Sequence, residues 1–261
     1  MPLRLRVPRI LRLKPWIGRN KVAKNLPANA FELALSAAEL CRSQSILVTE
    51  PSLRNAIAEL ARKRKVSIEA LPHLEISDDL VRRLQLLNLY AKQRTPEMRK
   101  IHGRVKKEDL KACLSFLEKF KEDGFAFLAG TKYESSIGII AIDPNGNTFG
   151  TIKLNFLGKK RKVLCIDAIQ GSRGRTMALW KTNTGQIPWP NLLVQHAIET
   201  ARRAGFSEVR LLKPQANPWC KDYYNKKNTK VTVSMERLYY SVAKKEGFRK
   251  AKGKFFVLYL T

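Results

Sequence analysis

Apolar positions recur at helical spacing in the first part of the chain, with short apolar runs between them. The spacing predicts helices over residues 29–40, 52–60 and 77–87, beginning at the capping residues Asn29, Ser52 and Ser77. The apolar runs at 45–49 and 66–71 predict two short strands. Residues 29–95 are therefore expected to form a small helical or α/β module, followed by a polar linker over 96–106.

The pattern changes after residue 107. A helix is predicted over 107–121, followed by consecutive strand-like runs at 125–128, 137–142, 149–156 and 163–169. The intervening segment 143–147 contains Asn145-Gly146, a pair typical of hairpin turns. Two further helices (192–204 and 234–245) alternate with two further strands (208–212 and 254–260). The pattern predicts an α/β (α+β) fold with a mixed, mainly antiparallel sheet and flanking helices.

The order of these elements over about residues 107–261 resembles the GNAT superfamily of N-acetyltransferases. The resemblance is carried by the join LVQHAIETARRAGFSEVRLL at 193–212, by Asn217, by the ending at 243–248 and by the strand at 255–259. It implies an N-acyltransferase that uses acetyl-CoA or another acyl-CoA. It also implies that strands 149–156 and 163–169 are antiparallel neighbours, and that 163–169 separates from 208–212 to open the cofactor cleft.

The predicted cofactor site departs from the family pattern. The family binds pyrophosphate at a Gln/Arg-x-x-Gly-x-Gly/Ala turn before a helix, whereas here the sequence is Ile187-Pro188-Trp189-Pro190-Asn191. Proline has no N–H to donate, so this turn is a poor phosphate cradle. The nearest glycine-rich turn lies upstream. The predicted cofactor-binding residues are therefore Gln170, Gly171, Ser172, Arg173, Gly174, Arg175 and Asn217, and a plain surface turn is the alternative for 170–175.

Three side chains are candidates for catalysis. The family's general acid is a tyrosine one turn before the Gly-Phe pair, where this chain has Ala243. Tyr239 and Tyr240 lie one turn further back, and core packing is the alternative for both. Asp167 interrupts an apolar strand, where an unpaired carboxylate would be costly. It is a candidate base or metal ligand, or else an acid paired with Arg or Lys on a neighbouring strand.

Charge changes the picture most. The chain has 50 Lys and Arg against 22 Asp and Glu, a net charge of +28. This excess predicts binding to nucleic acid, with RNA favoured over DNA, and a solvated surface is the alternative. Residues 1–28 contain no acidic residue and are expected to be a disordered basic arm. The other predicted contact residues are Arg62, Lys63, Arg64, Lys65, Trp219, Lys221, Tyr223, Lys226, Lys227 and Lys230.

Composition excludes several classes of protein. Hydrophobic residues make up 44% of the chain, enough for a core, and no apolar run is long enough to span a membrane. Four widely separated cysteines predict buried thiols, and three histidines form no metal motif, so no metal site is expected. The expected location is the cytoplasm, or an organelle matrix if the arm is a transit peptide.

Two functions follow from these observations. The first is an acyl-CoA-dependent N-acyltransferase that acts on or near nucleic acid. The second is a non-catalytic nucleic-acid-binding protein, RNA-binding above all, built on a degenerate scaffold of the same fold.

Overall fold

The structure is a computed structural model that describes residues 30–120, 127–132, 135–142, 148–158, 162–171, 187–225, 229–250 and 253–261. The predicted basic arm at 1–28 and the hairpin turn at 143–147 lie outside these ranges. The chain divides into two compact units, Met1–Val81 and Arg82–Thr261. Residues 96–106, predicted as a linker, contain a helix within the second unit.

The described part of the first unit is helical. Its elements are α1 (Ala30–Ser43), α2 (Glu50–Arg64), a 3₁₀ turn (Ile68–Ala70) and the start of α3 (Asp78–Gln93). Leu33, Ala61 and Leu71 form a buried cluster, against which Ile57 and Leu60 pack. The three predicted helices are confirmed, because each has apolar side chains at the spacing of one helix face.

The two strands predicted in this unit are wrong, because the backbone groups of both segments are used in turns. Ser45 adopts a left-handed conformation (φ 59°), and Ile46 N donates to Cys41 O at 2.8 Å. In the second segment, Val66 N donates to Ala61 O at 3.1 Å and a 3₁₀ turn follows. A strand needs a neighbouring strand to pair with its N–H and C=O groups, and local sequence carries no information about that neighbour.

Helix α2 begins earlier than predicted. Thr49 is its N-cap instead of Ser52: Thr49 Oγ1 accepts from Ser52 N at 3.3 Å, and Ser52 Oγ accepts from Thr49 N at 2.7 Å. This reciprocal pair is a capping box. At the other end, Arg62–Arg64 form the last turn and Lys65 is a left-handed C-cap. The basic run therefore lies at the negative end of the helix dipole.

The second unit contains a seven-stranded sheet among the described strands. The strands are β1 (Phe127–Lys132), β2 (Ser135–Ile142), β3 (Thr148–Leu157), β4 (Val163–Gly171), β5 (Glu208–Leu212), β6 (Arg249–Lys250) and β7 (Phe255–Tyr259). Their order is β1-β2-β3-β4-β5-β7-β6. All pairs are antiparallel except the parallel pair of β4 and β5. The predicted fold class, a mixed and mainly antiparallel sheet with flanking helices, is confirmed.

The helices of this unit follow the predicted order, with two additions. They are the remainder of α3, then α4 (Pro96–His102), α5 (Lys107–Lys119), α6 (Trp189–Arg203), α7 (Pro218–Asn225) and α8 (Thr229–Lys245), with a 3₁₀ turn at Pro214–Ala216. Helices α4 and α7 occupy segments where a linker and a loop were expected. Thr95 Oγ1 accepts from Met98 N and Pro96 begins the helix, so α4 has an ordinary amino-terminal signal.

The two faces of the sheet differ in chemistry. Along β3, Ile152, Leu154 and Phe156 alternate with Thr151, Lys153 and Asn155, and all six are buried. The Phe156 ring lies 5.2 Å from that of Phe116 on α5 and 6.1 Å from that of Phe206, so the apolar face packs on an aromatic cluster. The opposite face buries polar side chains, which must find hydrogen-bond partners there.

All four cysteines are buried free thiols, as predicted. Burial raises the pKa of Cys113 and Cys165 well above the ordinary value. In the portions of the chain that the structure describes, no helix has the length and apolar character of a membrane span.

Candidate functional site

Strand β4 extends beyond the end of its pairing with β5. Their parallel pairing runs from Val163 and Glu208 to Ile166 and Leu211. Beyond that point β5 ends, whereas β4 continues to Gly171 paired only with β3. The expected antiparallel pairing of β3 with β4 is confirmed. The expected separation of 163–169 from 208–212 stays a prediction, because four of the five β5 residues pair with β4 without interruption.

A bulge lies where the pairing of β4 with β5 ends. Lys153 pairs with Ala168 and Leu154 pairs with Ile166, so Asp167 has no partner residue on β3. An extra residue of this kind bends its strand and increases the local twist. The bulge follows directly after Ile166, the last β4 residue that pairs with β5, and it puts a carboxylate at that position.

Two side chains take the place of β5 beside the free edge of β4. Asn217 Nδ2 donates to the backbone oxygen of Asp167 at 2.8 Å, and Ile169 N donates to the hydroxyl of Tyr239 at 3.0 Å. Asn217 also donates to Tyr239 at 3.4 Å. Both Asn217 and Tyr239 are buried. These bonds satisfy backbone groups that would otherwise be left unpaired inside the protein.

The two predicted catalytic tyrosines have different environments. Tyr239 is 2% exposed, and desolvation raises the pKa of its hydroxyl. Tyr240 is 39% exposed, and its ring packs edge-on against Phe256 on β7 at 5.1 Å. The hydroxyl of Tyr239 is thus committed to the backbone of β4, and Tyr240 faces partly to solvent.

Asp167 is buried in a paired state. His102 Nε2 donates to Asp167 Oδ1 at 2.7 Å, and Asn155 Nδ2 donates to Asp167 Oδ2. The Asp167 and His102 side chains are 1% and 0% exposed. Of the roles considered from the sequence, a paired acid agrees best with this arrangement. The partners, however, are a histidine on α4 and an amide on β3 instead of Arg or Lys.

The hydrogen bonds continue beyond Asn155. Arg94 Nη2 donates to Asn155 Oδ1 at 3.2 Å, and Arg94 Nη1 donates to the backbone oxygen of Gly103 at 3.0 Å. The carboxylate of Asp109 lies 4.0 Å from the same guanidinium. We call Arg94, His102, Asn155 and Asp167 the polar cluster. It ties both ends of α4 to the polar face of the sheet.

The imidazole of His102 uses only one of its two nitrogens in a hydrogen bond with the described residues. His102 Nδ1 is buried and has no hydrogen-bond partner there. A carboxylate that orients an imidazole while its second nitrogen stays available is the arrangement used in general base catalysis. Here the whole His102 side chain is 0% exposed, so Nδ1 is closed to a substrate in this structure.

Two prolines lie at the start of α6. Pro188 is the N-cap and Pro190 lies in the first turn, while Asn191 N and Leu192 N already donate to Pro188 O at 3.0 and 3.2 Å. That this turn is a poor phosphate cradle stays a prediction. Of the predicted glycine-rich turn, Gln170 and Gly171 are exposed at the end of β4, and residues 172–175 lie outside the described ranges.

Trp189 covers the sheet beside that turn. A Cβ added at Gly150 would lie 2.4 Å from the indole, and one at Gly171 would lie 2.9 Å from it. These two glycines are direct partners across β3 and β4. The absence of side chains at both positions makes room for the ring, which is itself buried.

The residues predicted to contact nucleic acid are distributed over both units. Arg62, Lys63 and Lys65 are exposed in the first unit, and Arg64 is half-buried. Lys221 on α7 and Lys230 on α8 are exposed in the second. Trp219 and Tyr223 belong to α7, and Lys226 and Lys227 lie outside the described residues. These assignments stay predictions.

Sequence reasoning missed most of the polar cluster. Arg94, His102 and Asn155 were not candidates, because two of them flank or end a helix that was taken for a linker. The sequence Thr95-Pro96 is an N-cap followed by a proline at the first helical position, and that signal predicts α4. Nothing in the local sequence indicates that His102 meets Asp167.

Comparison with known proteins adds little. No family model matches the chain, and no curated protein matches it. Among solved structures the chain is similar to an acetyltransferase of the GNAT family from Staphylococcus aureus Mu50, at 13% identity over 72% of this chain and 98% of that chain, with a TM-score of 0.29. The fold class follows from the strand order and pairing described above.

Proposed function

We propose that the chain is a nucleic-acid-binding protein whose second unit is a non-catalytic scaffold with an acyltransferase-like sheet. The observation that carries the proposal is the use of Tyr239 and Asn217 as hydrogen-bond partners of β4. Both side chains are buried and bonded to its backbone. Groups committed in this way stabilise the fold and are not available to a substrate.

The charge supplies the binding function. A net charge of +28 creates a positive field that attracts phosphate polymers. The field acts on the phosphate backbone, which RNA and DNA share, so the proposal covers both. Exposed cations in both units, including Arg62 and Lys230, support contacts at more than one place along a polymer.

A salt titration tests the proposal. The full chain and a chain lacking residues 1–26 are titrated with one labelled single-stranded RNA oligonucleotide at several salt concentrations. The affinity should fall with salt at a log–log slope of about −0.7 per neutralised phosphate. Deletion of the arm removes basic residues that contribute to this count, so the slope should become shallower. Absence of binding near physiological salt would overturn the proposal.

A second candidate function is acyl-CoA-dependent N-acyltransfer. The observation that favours it is the extension of β4 beyond its pairing with β5, which leaves Gln170 and Gly171 exposed at the end of β4. Acetyl-CoA would be bound by the turn that contains Arg173 and Arg175. Bound there, it would supply an activated acyl group for transfer to an amine.

Calorimetry with acetyl-CoA separates the two candidates. If the enzyme reading holds, acetyl-CoA binds the unaltered chain, and Arg173→Ala with Arg175→Ala weakens binding, since each charged hydrogen bond contributes about 1.5–3 kcal/mol. Arg202→Ala with Arg203→Ala, at the other end of α6, is the matched control for the loss of two charges. No heat of binding for the unaltered chain would eliminate this candidate.

A further inference from the structure

One face of α2 is a row of exposed side chains. Arg54, Ala58 and Arg62 follow one another at intervals of four residues, about one helical turn each, and Lys65 lies just beyond them as the C-cap. Asn55 lies beside Arg54, and all five are exposed. We call these five residues the α2 stripe. The other side of the helix contains Leu53 and Ala61, which are buried in the first unit.

The stripe is held in a defined shape. The capping box of Thr49 and Ser52 fixes the first turn of α2, and Lys65 closes the last turn as a left-handed C-cap. Ala61, Leu33 and Leu71 form the buried cluster beneath the helix. The exposed face therefore belongs to a helix with both ends capped and one side packed, which limits the entropy lost on binding.

The charge of the stripe is positive. Its members include three cations and no acid. Glu59 lies off the stripe, where it pairs with Lys63 at 2.5 Å. Arg54 forms a salt bridge of 2.9 Å with Glu50, but the side chain of Arg54 is 64% exposed and that of Glu50 is 48% exposed. Exposed pairs of this kind contribute little and exchange readily, so Arg54 is available to a phosphate.

The side chains of the stripe suit a duplex groove. Arg54 and Arg62 are eight residues apart, or about 12 Å along the helix axis. Between them Ala58 has only a methyl group, which lets the helix approach a surface closely. Arginine and asparagine are the side chains that pair bidentately with guanine and adenine in the major groove of B-form DNA, and that groove admits an α-helix.

An RNA duplex fits the stripe less well. The major groove of A-form RNA is deep and narrow, and side chains do not read it. We propose that the α2 stripe binds the major groove of a B-form DNA duplex. This inference rests on the proposed function, because the ligand is a nucleic acid. It adds that the first unit binds duplex DNA.

The test uses the full chain and two variants that each lose one exposed cation. Binding of a labelled 20-base-pair DNA duplex is measured against salt for the unaltered chain, Arg62→Ala and Lys119→Ala. The two variants lose the same charge, but only Arg62 belongs to the stripe, whereas Lys119 lies in the last turn of α5. Arg62→Ala should make the log–log slope shallower by about 0.9, the value for one B-DNA phosphate, and Lys119→Ala should leave it unchanged.

A third variant tests close approach. Ala58→Glu puts a negative charge at the centre of the stripe, and glutamate is a good helix former, so the helix should persist. Repulsion between like charges should reduce affinity for the DNA duplex by about tenfold or more. Circular dichroism and urea midpoints equal to those of the unaltered chain establish that each variant is folded.

The outcomes separate the two proposals. Equal slopes for Arg62→Ala and Lys119→Ala, or unchanged affinity in Ala58→Glu, would overturn the assignment to α2. Salt-dependent binding by the same proteins would still leave the proposed function standing. An RNA duplex that binds as tightly and responds to the same variants would overturn the groove argument. A chain that binds neither duplex nor single strand would refute both proposals.

Discussion

The backbone nitrogen of Ile169 donates to the hydroxyl of Tyr239 at 3.0 Å, at a point where β4 has no β5 residue beside it. The bond joins α8 to the open edge of the sheet. Desolvation raises the pKa of this hydroxyl, so it stays protonated through the physiological range and can in turn donate. The Tyr239 hydroxyl thus provides the hydrogen-bond acceptor that a neighbouring strand would otherwise provide.

Tyr239→Phe should destabilise the protein. The substitution leaves Ile169 N without an acceptor in the interior, at a cost of about 1–3 kcal/mol in the free energy of unfolding. Urea denaturation measures the loss. Tyr240→Phe is the control, because the Tyr240 side chain is 39% exposed. Removal of its hydroxyl should change the free energy of unfolding by less than about 0.5 kcal/mol. Equal losses in the two variants would contradict the structural role given to Tyr239.

Asp167→Asn should disrupt the polar cluster. The carboxylate accepts from both His102 and Asn155, whereas an amide has one oxygen and would turn its NH₂ towards one of these donors. The expected loss is about 1–3 kcal/mol in the free energy of unfolding. Glu199→Gln serves for comparison, since its pair with Arg202 is half exposed and contributes little. An Asp167→Asn protein as stable as the original would mean that the cluster is not as described.

Gly150→Ala should conflict with Trp189. The added methyl group would lie 2.4 Å from the indole ring, and overpacking of this kind costs about 1–3 kcal/mol. A double-mutant cycle with Trp189→Leu isolates the contact. The cost of Gly150→Ala should largely disappear in the Trp189→Leu background, as measured by urea denaturation. A cost that is the same in both backgrounds would place the strain elsewhere.

The stability of the second unit should fall in alkaline solution. Burial raises the pKa of Cys220 from 9.0 to about 11, and it also raises the pKa of Cys113 and Cys165 well above the ordinary value. The folded state therefore keeps protons that the unfolded state releases, so these thiols contribute their full stability below about pH 9. That contribution is lost as the pH rises towards the folded values. Urea midpoints between pH 7 and 10.5 should decrease.

Cys220→Ala provides the control for this pH dependence. Without the thiol, the decrease between pH 9 and 10.5 should be smaller than in the unaltered chain, whatever the variant's stability at pH 7. An identical decrease in both proteins would assign the alkaline loss to other groups, among them Tyr239, whose pKa is also raised.

Local sequence was sufficient for the elements whose burial follows one period. Helices α1, α5 and α6 were predicted because their apolar side chains fall on one face, and β5 was predicted with its observed bounds. The same reasoning failed at 45–49 and 66–71, where apolar residues follow helix ends. A run of apolar residues predicts that its side chains are buried. It does not predict whether a neighbouring strand is available for pairing.

The sequence by itself determined the positive charge, the helix periods, the antiparallel run of strands and the poor donor properties of Pro188 and Pro190, because each depends on residue type and spacing alone. Tertiary structure decided the partners. His102 and Asp167 are 65 residues apart in the chain, and Tyr239 and Ile169 are 70 apart. Such contacts arise when strand order and helix packing bring distant segments together, and the energy of a buried polar group then depends on which partner it finds.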